Sequence, residues 1–209
     1  MMKLLLVGTL LVVLVLMVVN FVTSWPSVLV IRYEFDKGAE NASAALAPKV
    51  PTSIKAQSGS SYDPMEPDAV LDIYRGTGDA ADGPTIVWFH GGGFVSGSRQ
   101  DVANYPKILA GEEFTVVNVD YTIAPEATYP TPIRQANKAL AYVAANCSSL
   151  GLNANKLVPA GDSAGEQIAA QTAAMISNAD HACALGIASA RACMGIGSRV
   201  PCCTAASMT

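Results

Sequence analysis

The sequence predicts an α/β fold in which a mostly parallel sheet carries helices on both faces, preceded by one membrane-spanning helix. After residue 62, short strand-like segments alternate with amphipathic helical ones. Two of these segments, 85–89 and 116–119, are almost continuously apolar, as expected for strands covered on both faces. Residues 4–22 form a separate, longer apolar run. Because strands that alternate with helices are joined by right-handed crossovers, neighbouring strands are expected to be parallel.

Composition narrows the classes of protein. The chain has 209 residues, enough for one ordinary domain, and 51% of them are hydrophobic, which excludes a disordered chain. The net charge is −4 and no cluster of Lys and Arg is present. Since non-specific binding of nucleic acid depends on basic patches, a nucleic-acid partner is excluded.

Residues 1–24 are predicted to be a membrane anchor or a signal peptide. The apolar run at 4–22 has 19 residues, and as a helix it reaches about 28 Å, the thickness of the hydrocarbon core of a bilayer. It is longer than the apolar centre of a typical secretory signal, roughly 7–15 residues. We favour an uncleaved anchor with the domain outside the cytoplasm. The alternatives are secretion after cleavage near Ser24, or a buried core helix.

The next segment, 25–62, is predicted to be a linker, because its second half is rich in Ala, Ser and Pro. The domain is predicted over 63–187. Runs rich in Val, Ile and aromatic residues, bounded by Gly, Pro or Asp, predict four strands, at 69–74, 85–90, 114–120 and 156–160.

Helices are predicted between these strands. Asp101 is a candidate N-cap for a helix that ends near Ala110. Thr131 is a candidate cap for a second helix, because Pro132 suits a first helical turn. A third helix is predicted at 167–177.

The tail, 188–209, differs in composition from the domain. Acidic residues end at Asp180, whereas four of the five cysteines lie in the last 27 residues. Zinc sites need ligand spacings such as C-x2-C, which this segment lacks, and adjacent Cys202 and Cys203 fit a disulfide framework poorly. We interpret the tail as atypical and not part of the domain, produced by an early chain end or an out-of-frame segment.

A G-x-S-x-G motif follows the last predicted strand and precedes the third predicted helix. Its residues are Gly161, Asp162, Ser163, Ala164 and Gly165. The glycines permit a sharp turn that exposes the serine hydroxyl at the amino terminus of a helix, where backbone N–H groups converge. A simple helix cap of small residues is the alternative.

A second motif, His90-Gly91-Gly92-Gly93, directly follows another predicted strand. Consecutive glycines leave backbone N–H groups free to point at one spot, as an oxyanion hole requires. A phosphate-binding loop would need a G-K-[S/T] ending, which is absent here. The two motifs together favour a serine nucleophile.

With these motifs the chain resembles the hormone-sensitive-lipase-like branch of the α/β-hydrolases, which contains carboxylesterases and lipases. The segments 71–75 and 120–126 also resemble that branch, and the resemblance covers about residues 60–187. It implies part of an α/β-hydrolase fold that acts on a small ester or a lipid without metal or cofactor. Ser163 would be the nucleophile. An oxyanion hole would form at Gly91, Gly92, Gly93 and Ala164, with His90, Gly161, Asp162 and Gly165 completing the two motifs.

The triad acid and base are not identified in this chain. The family order is serine, acid, histidine, and the only histidines are His90 and His181. His90 belongs to the oxyanion loop, and His181 lies 18 residues beyond Ser163, about 27 Å along a continuous helix. We therefore expect a chain that is truncated after the nucleophile helix and impaired as a carboxylic-ester hydrolase. The alternative is an inactive remnant or pseudoenzyme held at the membrane.

Overall fold

A computed structural model describes residues 2–78, 83–187 and 189–190 of the chain. The predicted atypical tail, 188–209, lies outside the described residues except for 189 and 190. From residue 85 onward, successive strands are separated by helices. The elements are α1 (Met2–Val22), α2 (Trp25–Leu46), β1 (Lys55–Ser61), β2 (Val70–Arg75), β3 (Thr85–Phe89), α3 (Asn104–Gly111), β4 (Thr115–Val119), α4 (Thr131–Ala145), α5 (Cys147–Leu150), β5 (Leu157–Gly161), α6 (Ala164–Ser177) and α7 (Ala179–Ala184).

Helix α1 is long and apolar enough to cross a membrane, by length and composition alone, and a signal sequence would pass the same test. None of its described side chains is buried, which is contrary to the alternative of a core helix. Only Thr23 and Ser24 separate α1 from α2. The end of the apolar helix is therefore close along the chain to the elements that follow.

Residues 25–62, predicted as a linker, contain a helix and a strand instead. Helix α2 buries a single side chain, Val28, and strand β1 exposes nearly all of its side chains. Strand β1 is held by antiparallel backbone pairing to β2. The richness in Ala, Ser and Pro on which the linker prediction depended therefore excludes neither element, because few of their side chains are buried.

The five described strands form one mixed sheet in the order β1-β2-β4-β3-β5. β2 pairs antiparallel with both β1 and β4, whereas β3 pairs parallel with β4 and β5. The connection between β1 and β2, residues 62–69, is too short for the crossover of about a dozen residues that a parallel pair requires. The sheet is thus less parallel than predicted, because the sequence pattern marks strands without giving their directions.

Helices cover both faces of the sheet, as predicted. On one face α4 and α6 pack over the larger part of the core, which includes Leu71, Phe89 and Val117. On the other face α3 packs over Tyr74 and Val116. Neighbouring residues of one strand, such as Val116 and Val117, point to opposite faces and are both fully buried.

Two predicted helix starts differ from the observed ones. Asp101 does not cap α3, which begins at Asn104. Its carboxylate instead accepts a hydrogen bond of 2.7 Å from the Ser98 hydroxyl in the preceding turn. Thr131 is the first helical residue of α4 rather than its cap, a position occupied by Pro130.

Candidate active site

Ser163 lies at the turn between β5 and α6, residues 161–165, which we call the serine turn. Its side chain is exposed. Its backbone angles are φ 51° and ψ −114°, outside the regions that L-residues favour. Such a conformation costs about 1–3 kcal/mol and persists only where the surroundings impose it. Here the turn is closed by a 2.8 Å hydrogen bond from the Gly165 amide to the Asp162 carbonyl. Helix α6 begins at Ala164, immediately after this turn, and not at 167 as predicted.

The two glycines of this turn allow it to pack directly against strand β3. A Cβ atom at Gly161 would lie 2.5 Å from the Phe89 carbonyl oxygen. At Gly165 a Cβ atom would lie 2.6 Å from the Phe89 carbonyl carbon. Only glycine fits at both positions, so the turn is held beside the residue that immediately precedes His90.

Residues 91–96, which we call the glycine loop, have an irregular backbone with consecutive left-handed residues. The φ angles are 110° at Gly92, 62° at Gly93 and 64° at Phe94. The amides of Val95 and Ser96 both donate to the Gly92 carbonyl, at 3.1 and 3.0 Å. These bonds form a tight turn at the carboxyl end of β3.

One hydrogen bond joins the two motifs. The Gly91 amide donates to the Asp162 carboxylate at 3.0 Å. Within the described part of the chain, by contrast, the amides of Gly92, Gly93 and Ala164 donate to no protein acceptor. The structure therefore brings the glycine loop next to the serine turn and leaves three backbone donors there for another acceptor.

His90 is fully buried beneath this loop. Its ring stacks on Tyr121, with centroids 4.2 Å apart and planes inclined by 6°. Nδ1 donates to the Gly91 carbonyl at 2.8 Å, and Nε2 lies 3.5 Å from an Asp120 carboxylate oxygen. Burial lowers the pKa of the imidazole, against the opposing charge of Asp120. Burial therefore favours the neutral form of the ring, which is bonded to the loop through Nδ1.

The other histidine is far from the serine turn. Ser163 precedes α6, whereas His181 lies on α7 after the opposite end of α6. The 14 residues of α6 span about 21 Å. Neither histidine of the chain therefore contacts Ser163.

Arg99 is a site residue that the sequence did not reveal. Its amide donates to Asp120 at 2.8 Å, and its guanidinium also contacts the Asp120 carboxylate. The Nε atom lies 3.3 Å from an oxygen of Asp72, which is almost completely buried in β2. The Arg99 guanidinium therefore contacts two carboxylates and holds in place the segment that follows β4.

Arg32 is a second such residue, and it lies on α2. Its guanidinium forms a two-pronged ion pair with Glu126, with N–O distances of 2.9 and 2.5 Å. Asp120 and Glu126 thus both hold loops in place. Arg32 lies far from both motifs in the sequence, and Arg99 follows the glycine motif without belonging to it, so no local signal marked either residue.

Metal binding has no candidate site among residues 2–78, 83–187 and 189–190, where no three His, Cys, Asp or Glu side chains are grouped suitably.

Comparison with known proteins identifies the fold family. Residues 86–196, more than half of the chain, match the family described as alpha/beta hydrolase fold. An esterase of Mycobacterium tuberculosis, LipI, is 41% identical over 93 residues, which cover 44% of this chain and 29% of that protein. An arylesterase of Saccharolobus solfataricus is 28% identical over 143 residues, 68% of this chain and 46% of that protein.

Solved structures give the same result. An esterase of Pyrobaculum calidifontis has a TM-score of 0.60 and 32% sequence identity, with 73% of this chain and 49% of that chain covered. This chain spans less than half the length of each of these three relatives. The resemblance inferred from the sequence is confirmed at the level of the fold, and the chain belongs to the α/β-hydrolase family.

Proposed function

We propose that this chain carries the nucleophile and the oxyanion hole of a carboxylic-ester hydrolase. One observation carries the proposal: the strained, exposed Ser163 lies in a turn that is bonded to the glycine loop, and three amides of these two described segments donate to no protein acceptor. Relatives named as esterases support the same reaction class. A small ester or a lipid is the proposed substrate, and the chemistry requires no metal or cofactor.

In the proposed reaction the Ser163 hydroxyl oxygen attacks the carbonyl carbon of the ester. The carbonyl oxygen becomes an oxyanion that accepts hydrogen bonds from the amides of Gly92, Gly93 and Ala164. Collapse of the tetrahedral intermediate breaks the bond to the alcohol, which leaves with a proton, and an acyl-enzyme remains. Water then attacks the acyl carbonyl, and the acid is released as Ser163 regains its proton.

Both proton transfers require a base, and the observed positions of the histidines favour a chain that is impaired in these steps. His90 is buried beneath the loop, and His181 lies beyond the far end of α6. Loss of the histidine in a serine protease lowers the rate by about 10⁶. The oxyanion hole and binding alone account for about 10³–10⁴ over water. The second candidate function is therefore a non-catalytic protein that retains the serine turn and has at most a binding role.

Covalent labelling tests the nucleophile separately from turnover. The full chain in detergent is treated with a fluorophosphonate, and labelled peptides are quantified by mass spectrometry. We expect Ser163 to react at least about tenfold faster than Ser149, an exposed serine outside the motifs. Labelling should be absent from the Ser163→Ala variant. Equal reactivity of the two serines would contradict the proposal.

Turnover of a short-chain p-nitrophenyl ester separates the two candidate functions. A rate that falls with Ser163→Ala would show an active hydrolase and a base within the chain, which His90→Asn and His181→Asn would then locate. Selective labelling of Ser163 without serine-dependent turnover is the result expected for an impaired hydrolase. Neither labelling nor turnover would favour the non-catalytic protein.

We further propose that α1 is an uncleaved membrane anchor and that the domain lies outside the cytoplasm. Support comes from its 21-residue length and its fully exposed apolar surface. Alkaline carbonate extraction should leave the expressed chain in the membrane pellet, with Met2 or Met1 at its amino terminus. A soluble product that begins near Trp25 would indicate a cleaved signal peptide instead. Protease protection of sealed vesicles reports the side on which the domain lies.

A further inference from the structure

One side chain of helix α2, that of Arg32, contacts both the glycine loop and the segment after β4. The Arg32 Nε atom donates to the Val95 carbonyl at 2.6 Å, and Nη2 donates to the Ala124 carbonyl at 2.8 Å. The same guanidinium forms the two-pronged pair with Glu126. Four hydrogen bonds thus join residues that are 63 to 94 positions apart in the chain.

Neighbouring residues of α2 make further contacts with the same loop. Asp36, about one helical turn after Arg32, accepts a 2.6 Å hydrogen bond from the Ser96 hydroxyl. The Phe35 ring lies near Gly93: a Cβ atom at that glycine would be 3.9 Å from the Phe35 Cζ atom. Helix α2 therefore packs against the residues that immediately follow His90 and Gly91.

The segments joined by Arg32 form one unit. The Ala124 amide donates to the Phe94 carbonyl at 2.7 Å, so the segment after β4 is bonded directly to the glycine loop. The Val95 carbonyl that Arg32 binds is one residue beyond three consecutive left-handed residues. Such a loop lacks a repeating pattern of backbone bonds, and contacts from outside must fix its conformation.

Charge and geometry favour an arginine at this position. The planar guanidinium presents donors in a fixed fork that matches a carboxylate and leaves other N–H groups for carbonyl oxygens. The Glu126 side chain is 41% exposed, so solvent screens the ion pair, whereas the two bonds from Arg32 to carbonyl oxygens are partly buried. A lysine would retain the charge but would not reach both carbonyls and both carboxylate oxygens together.

We propose that Arg32 is a positioning residue that holds the glycine loop in the conformation required of an oxyanion hole. The positioning role rests on the proposed function, because its catalytic meaning depends on Ser163 acting beside that loop. Helix α2 would then be a part of the active-site architecture rather than a spacer behind the apolar helix.

Hydrogen exchange of the full chain in detergent tests the role without depending on activity. We expect Arg32→Ala to accelerate exchange of the Val95 and Ser96 amides, which donate to the Gly92 carbonyl, by about tenfold, while exchange in α4 stays unchanged. Lys37→Ala is the matched control, because Lys37 is an exposed cation on the same helix. Equal exchange of the loop in both variants would refute the role, and so would an equal acceleration in α4.

Two milder substitutions separate positioning from simple stabilisation. Glu126→Gln removes the ion pair but leaves Arg32 its two carbonyl acceptors, so loop exchange should rise less than about threefold. Arg32→Lys retains the charge but loses the fork, and it should resemble Arg32→Ala in the loop. If Arg32→Lys retained full loop protection and Glu126→Gln abolished it, the charge alone would matter and the role would be refuted.

Fluorophosphonate labelling of Ser163 links the loop to reactivity. We expect Arg32→Ala to lower the labelling rate about tenfold relative to Lys37→Ala, with little change in reversible affinity for the probe. An unlabelled Ser163 in the unsubstituted chain would refute the proposed function and the positioning role together. Normal labelling with an unchanged loop would refute the positioning role alone.

Discussion

Replacement of Gly165 by alanine should destabilise the domain, although it introduces the best helix former into a helix. The added methyl group would lie 2.6 Å from the Phe89 carbonyl carbon, whereas ordinary contacts begin at 3.4 Å. Because the Phe89 carbonyl oxygen is nearer still, strand β3 and helix α6 would have to separate by more than about 0.8 Å. Both neighbours are backbone, and Phe89 lies in the middle of the sheet between β4 and β5, so the strain cannot be relieved by a side-chain rotation.

The magnitude follows from two opposing effects. Helix propensity favours alanine over glycine by about 0.8–1.0 kcal/mol. Overpacking against an unyielding backbone costs about 3 kcal/mol, the upper end of the usual range. We expect the free energy of unfolding to fall by about 2 kcal/mol.

Gly38→Ala is the matched control, because Gly38 also lies inside a helix but has no heavy atom within 4 Å of its Cβ position. Urea denaturation of the full chain in detergent should show a gain of up to about 1 kcal/mol for this variant. A Gly165→Ala variant as stable as the unsubstituted chain would refute the close packing of the serine turn against β3.

Three further substitutions test the core and the site. Leu140→Ala should lower the free energy of unfolding by about 2–5 kcal/mol, because the side chain is fully buried under the sheet; a loss below 1 kcal/mol would contradict its position. Burial lowers the pKa of His90, so the unfolded chain binds more protons and stability should fall as the pH drops below the unfolded value of about 6.5; His90→Asn should lack that slope. Asp162→Ala should slow phosphonate labelling of Ser163 more than Asp162→Asn does, since only the amide retains an acceptor for the Gly91 N–H; equal rates would argue against that contact.

Strands β2 to β5 begin and end within one residue of the predicted boundaries. They are predictable because burial between two layers of helices demands apolar residues at nearly every position, as at Thr115–Val119. The serine turn was predictable for a related reason. Backbone packing requires glycine at 161 and at 165. The sequence therefore shows two glycines at a fixed spacing on either side of Ser163.

The contacts of α2 and β1 could not be predicted in this way. Strand β1 is held through backbone groups that every residue shares, and helix α2 is held by polar side chains on one of its faces. An ion pair between Arg32 and Glu126 requires only one residue of each charge, 94 positions apart. Such a pair leaves no periodicity in either segment, and only the folded arrangement reveals it.

The short break between α1 and α2 limits how far the candidate site can stand from a membrane. Only nine residues lie between the end of the apolar helix at Val22 and Arg32. Even with Thr23 and Ser24 fully extended, this stretch spans at most about 20 Å. If α1 spans a bilayer as proposed, the glycine loop, which Arg32 contacts, lies close to the lipid headgroups at the membrane surface. An ester dissolved in the membrane would then begin its path close to the loop that is hydrogen-bonded to the serine turn.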